Sequence, residues 1–115
     1  MLIKISSFGY KCNLEVRADR VYSVIRMPNP YGRFPDRNGL DKEVKEWVLE
    51  CVEVDDFISR LIDFLSNKMV ETIDGSIAFG CRGGKHRSVV IAEEVGRRLR
   101  ELGFEVEVEH RDLGK

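Results

Sequence analysis

Eight consecutive residues, Cys81-Arg82-Gly83-Gly84-Lys85-His86-Arg87-Ser88, gather a thiol, three cations, an imidazole and a hydroxyl around two adjacent glycines. Paired glycines let backbone N–H groups turn inward, and a helix starting at such a loop adds its free first-turn N–H donors and the positive end of its dipole. That combination holds an anion. A phosphate seated there would meet Gly83, Gly84, Arg82, Lys85, Arg87 and Ser88, with His86 donating a hydrogen bond to one oxygen. Three cations beside Gly-Gly favour a ligand site over a merely solvated loop, whereas His86 on its own reads equally well as an exposed loop histidine.

The spacing excludes the commonest phosphate loop. G-x-x-x-x-G-K-[ST] would need Gly at 79 and Ser or Thr at 86, where the chain has Phe79 and His86. The dinucleotide fingerprint G-x-G-x-x-G is absent as well. The eight residues do satisfy C-x-x-G-x-x-R-[ST], the cradle of cysteine-dependent phosphatases, in which a thiolate attacks phosphorus while Arg and N–H groups hold the oxygens. On that pattern Cys81 is the nucleophile, Arg87 the clamp, Ser88 the stabiliser of the thiolate and Asp36 the best candidate for leaving-group acid. Cations and a helix N-terminus lower a thiol's pKa, which permits the chemistry. Against it, Gly80 stands where those phosphatases place a histidine, and the simpler reading of Cys81 is a small buried side chain at a strand end.

Such a loop must be positioned by a strand running in and a helix running out. Ser76 to Gly80 reads as a short apolar strand, and Ser88 to Leu102 as a helix with Val89, Ala92, Val95, Leu99 and Leu102 on one stripe, stopped by Gly103. Glu93 with Arg97 and Glu94 with Arg98 are spaced as i,i+4 pairs on its solvent side. Phe104 to His110 alternates like a half-exposed strand, which completes a βαβ unit. Upstream, Leu2 to Phe8 and Val21 to Arg26 are strands. Met27 to Leu40 holds all three prolines and reads as a functional loop, with Arg26 and Arg33 pointing cations toward whatever it covers. Asp41 is placed to N-cap a helix to about Cys51 with Val44, Trp47, Val48 and Cys51 on one face. A second helix, from about Asp55 to Val70, carries Phe57, Ile58, Leu61, Ile62, Leu65 and Met69 and ends at Asp74-Gly75. Trp47 and the six Phe are most simply core.

A chain of 115 residues with 43% hydrophobic and 34% charged residues builds one core, so residues 1–115 form a single domain. The net charge is -1, yet residues 1–40 carry seven bases against three acids and residues 41–75 four against ten. The acids gather in the helical middle. Three cysteines without a C-x-x-C pair, and only two histidines, argue against a disulfide framework and a zinc clip and fit a reducing compartment; no metal or cofactor is expected. No apolar run approaches the roughly 20 residues of a membrane helix and the first residues lack a secretion signal, so the expected place is the cytoplasm, away from membranes. No basic stripe interleaved with aromatics marks an RNA surface, and Tyr10, Tyr22 and Tyr31 are equally packing residues.

Gly80-Cys81-Arg82-Gly83-Gly84-Lys85-His86-Arg87-Ser88-Val89, followed by His110-Arg111-Asp112-Leu113, resembles the C-terminal domain of the RNase adapter protein RapZ family, whose loop reads G-C-T-G-G-x-H-R-S-V. Ser7-Phe8-Gly9-Tyr10-Lys11, Ala18-Asp19, Arg26-Met27-Pro28-Asn29-Pro30-Tyr31 and Gly39-Leu40-Asp41 are similar to further motifs of that family, in the same order along nearly the whole chain. The resemblance implies a small α/β domain that binds a phosphorylated amino sugar, glucosamine-6-phosphate in the best-known members, and through it regulates RNA decay by presenting RNA to a nuclease. It also implies that Lys11, Arg26, Asn29 and the His110-Arg111 pair frame the ligand pocket, and it favours a homodimer. The chain departs from the family in having Arg82 where the family has Thr, and it reads as a stand-alone homologue without the N-terminal nucleotide-binding domain.

The expected architecture is α/β: a central, mostly parallel sheet flanked by helices, with the anion loop at a strand-to-helix junction. The expected role is a sensor for a phosphorylated small molecule, with a cysteine phosphatase and an RNA-binding adapter module as the alternatives.

Overall fold

The structure, a computed structural model, describes residues 2–12, 15–68 and 75–113. Met69, Val70 and Asp74, assigned above to a helix end and a turn, lie outside the described residues. Strand β1 (Leu2–Gly9) opens the chain and β2 (Arg20–Ser23) follows a short 3-10 turn at Tyr10–Cys12. A second such turn at Pro30–Gly32 precedes α1 (Lys42–Leu49) and α2 (Val52–Lys68); β3 (Gly75–Cys81), α3 (Arg87–Glu101) and β4 (Glu105–His110) complete the order. The four strands form one sheet in the order β2-β3-β1-β4, and all three pairings are parallel. Fold class and single-domain α/β architecture are as expected from the sequence.

Register explains which face carries the core. Ile5 pairs with Ile77 and Val108, and Ser7 with Phe79 and His110, so these side chains share one face. Ile3, Ile5, Ile77, Phe79 and Cys81 on that face pack with Val44, Val48, Ile58, Leu65, Val95 and Leu99 of the helices. The steps β2 to β3 and β3 to β4 move the same way across the sheet, so right-handed crossovers place their helices on one side. The step β1 to β2 moves the opposite way, and the rings of Phe8 and Tyr10 lie over the other face, where a methyl on Gly80 would meet them at 2.4 and 2.7 Å. The 81–88 loop therefore emerges at the C-terminal edge of the sheet.

Several local expectations are corrected. β2 ends at Ser23 instead of Arg26, because Met27 N–H closes a turn on Val24 O at 3.1 Å. Asp41 occupies the N-cap position of α1 but its Oδ2 accepts from Asn38 N–H at 2.9 Å, so it braces the incoming loop and leaves the helix N–H groups alone. α2 begins at Val52, before the expected Asp55, leaving only Glu50 and Cys51 between the helices. Phe64 and Leu102 are exposed, Phe64 on the solvent side of α2 under the guanidinium of Arg20 and Leu102 just beyond the end of α3.

Of the two pairs expected on the solvent side of α3, Glu94–Arg98 forms, with its carboxylate buried, while Glu93 pairs elsewhere. Glu93 reaches His110 instead of Arg97, and Glu94 is buried, at 4% exposure, under both Arg97 (2.8 Å) and Arg98 (2.9 Å). The Arg97 hydrogen bonds dominate over burial and hold the Glu94 carboxyl at about 2. A carboxyl lowered on folding stabilises above its ordinary pKa of about 4.3, and that contribution fades as pH falls toward 2. Its size is on the order of 2–3 kcal/mol. Denaturation at pH 6 and pH 3 should therefore show a smaller acid loss for Glu94→Gln than for the parent; equal losses would refute this role.

Candidate functional site

The loop after β3 is formed by residues that no regular element could supply. Gly84 has φ +72, in the left-handed region, and it lies so close to the end of β1 that a methyl would sit 2.6 Å from Gly9 N. The approach is mutual, since a methyl on Gly9 would come within 2.5 Å of the Gly83 carbonyl carbon. Gly83 itself faces open space, with no atom within 4 Å of where its Cβ would stand. The strand end thus supports the loop from below and leaves its outer side free.

Three other segments hold this loop: the Arg111–Asp112 pair by way of Gly9, the proline-rich loop, and Lys11. Asp112, fully buried, accepts from Gly9 N–H at 2.8 Å and pairs with Arg111 at 2.7 Å, fixing the strand on which the loop rests. Gly39 N–H donates to Lys85 O at 2.7 Å, and a methyl there would strike Val89 Cβ at 2.6 Å and His86 O at 2.7 Å. Lys11 N–H donates to Arg82 O at 3.0 Å. His86, 8% exposed, turns Nε2 to the carbonyls of Phe34 and Arg37 in the proline-rich loop. It is neither an exposed histidine nor one that aims Nε2 at a ligand; it fastens the loop that folds over it.

Arg87 is the first residue of α3 and is 5% exposed. Its Nη1 donates to the carbonyls of Ile25 and Met27, gripping the turn after β2, while its buried Nε has no partner. A buried N–H of a guanidinium left unmatched is costly, and an anion is the partner it fits. Cys81, buried at 2% exposure, has its Sγ 3.3 Å from Gly84 N–H and 3.2 Å from Ser88 Oγ. Those are the contacts a thiolate, or a thiol at the floor of an anion cradle, would use.

The other expected pocket residues are spent differently. Asn29 Oδ1 accepts from Tyr31 N–H at 3.1 Å and caps the Pro30–Gly32 turn. His110 is bridged at both ring nitrogens, Nδ1 to Ser7 Oγ and Nε2 to Glu93 Oε2, each at 2.6 Å. Arg111 turns to Asp112, Gly9 O and the Phe8 ring. His110 and Arg111 are thus the foundation of the β1 end. Asp36 lines a shallow groove of about 280 Å³ with Arg33, Phe34, Pro35, Arg37 and Glu43, none of which belongs to the 81–88 loop. Lys11, Arg26, Arg82 and Lys85 are exposed. Gly9, Gly39, Asp112, Ser7 and Glu93 are supports that reasoning from motif chemistry did not single out. Among the described residues no cluster of three His, Cys, Asp or Glu could hold a metal ion, and no helix is long and apolar enough to cross a membrane.

Sheet and loop together define a small parallel α/β domain whose glycine-bearing strand-to-helix junction rests on the end of β1 and is held by the proline-rich loop, with Gly83 open on its outer side. Residues 1–114 match the family described as RapZ C-terminal domain, and the chain belongs to that family. It is 43% identical to a nucleotide-binding protein of Ruminiclostridium cellulolyticum over its full length, and 42% identical to one of Thermodesulfovibrio yellowstonii over 96% of its length. In both cases the chain spans 42% of the relative, less than half.

Proposed function

We propose that this domain binds a phosphorylated small molecule, a sugar phosphate such as glucosamine-6-phosphate, in the 81–88 loop, and that occupancy regulates RNA decay. The observation carrying the reading is the Arg87 guanidinium, buried at the helix start with Nε unmatched beside a glycine loop of free outer face. The regulatory role rests on what the resemblance to the RapZ family implies, and the name of the relatives, nucleotide-binding protein, makes nucleotides a necessary comparison. A thermal-shift panel of inorganic phosphate, glucosamine-6-phosphate, glucose-6-phosphate and nucleotides tests it. A ligand at a hundred times its Kd adds about 2.7 kcal/mol, which moves Tm by roughly 5 °C or more in a domain of this size. Absence of a shift with every phosphate compound refutes the reading.

The contacts of Cys81 with Gly84 N–H and Ser88 Oγ favour a second reading, a cysteine phosphatase. It predicts phosphate release from an aryl phosphate that Cys81→Ser abolishes. The sensor reading predicts no release by either protein and binding in Cys81→Ser within about threefold of the parent, since hydroxyl for thiol keeps a small polar group at that place.

A further inference from the structure

The cations of this protein differ in whether they face a carboxylate. Arg37, Lys42, Arg60, Arg97, Arg98 and Arg111 each face a carboxylate. Lys11, Arg82 and Lys85 do not: among the described residues no carboxylate lies within ion-pair distance of any of them. Other exposed cations, Lys4, Arg26 and Lys45 among them, also face no carboxylate among the described residues, but they are scattered along the chain, whereas these three lie on one loop and on the residue bonded to it. Like charges held together without counter-charge repel, and a bound anion removes that repulsion.

The number of cations exceeds what one phosphoryl group needs. A phosphate monoester carries close to two negative charges at neutral pH. The buried Arg87, first residue of α3, and the exposed Lys85, two residues before it, match those two. Arg82 and Lys11, both exposed, remain, and the Lys11 N–H to Arg82 O bond of 3.0 Å makes the two residues neighbours. Between them and the helix start lies Gly83, whose outer side is open. Resting on the phosphate-binding reading above, we infer that the ligand carries two phosphoryl groups, as a diphosphate or bisphosphate, the first seated at the start of α3 by Arg87 and the second over Gly83 between Arg82 and Lys11.

Titration calorimetry at fixed ionic strength with inorganic phosphate and inorganic pyrophosphate tests the inference. Pyrophosphate should bind the parent about tenfold or more tighter than phosphate, and Arg82→Thr combined with Lys11→Ala should reduce that ratio to about threefold or less. Both substitutions are on exposed side chains, and unchanged melting of the variant verifies its fold. Lys45→Ala, which removes an exposed, unpaired cation on α1, should leave the ratio as in the parent. Phosphate binding with no preference for pyrophosphate overturns the second phosphoryl site alone. A preference that survives in the double variant, or that Lys45→Ala lowers equally, overturns it too, because the effect is then one of net charge. If neither ion binds the parent, the phosphate reading itself falls and this inference with it.

Discussion

Arg87→Ala is expected to lower affinity for any phosphate ligand by at least about a hundredfold, which corresponds to about 2.8 kcal/mol. Two separate losses add up to that figure. The first is direct, since a charge-assisted donor with an unmatched buried Nε is removed from the start of α3. The second acts through the fold, because Nη1 ties the carbonyls of Ile25 and Met27 to the helix and alanine releases that turn. Release should also destabilise the free protein, by about 1–3 kcal/mol in denaturant unfolding. Arg87→Lys separates the two. A lysine restores a positive charge but a single ammonium cannot serve a carbonyl pair and an anion at once, so binding should recover only in part. If Arg87→Ala keeps the parent's affinity, the anion is held elsewhere and the reading of the site is wrong.

The residues that made the loop legible are contiguous. Two glycines, three cations and a following apolar stripe lie within a few turns of chain, so helix-start physics could be read from their order alone. The strands and helices were legible for the same reason, periodicity being a local property, and the errors fell at ends such as Ser23 and Val52, where a turn hydrogen bond decides. The supports were not legible, because each is a contact across sequence. Gly9 meets Gly83, Gly39 meets Lys85, and Asp112 reaches back to Gly9 across nearly the whole chain. His86 shows the limit most clearly. Flanked by Lys85 and Arg87 it looks solvated, yet the proline-rich loop closes over it and its ring becomes the fastening point. Glu94 follows the same logic, with burial imposed by neighbours on its own helix that sequence places equally well on the surface.

The supports also make a sharp contrast between two adjacent glycines. Gly84→Ala should cost about 2–5 kcal/mol, combining about 1–2 for a left-handed φ of +72 with about 1–3 for a methyl forced to within 2.6 Å of backbone that cannot swing aside. Melting should fall by roughly 10 °C or more, and ligand binding should vanish because the loop can no longer lie against Gly9. Gly83→Ala adds a methyl to open space without a left-handed φ, so its stability should stay within about 0.5 kcal/mol of the parent. Gly103→Ala isolates the remaining quantity, for it has φ +96 and no neighbour within 4 Å, and it should show the strain alone. The order Gly83→Ala, Gly103→Ala, Gly84→Ala in increasing damage is what a loop seated on the end of β1 requires. Should Gly84→Ala prove no worse than Gly103→Ala, the contact with Gly9 contributes nothing, and the loop's position would have to come from Gly39, His86 and Arg87 instead.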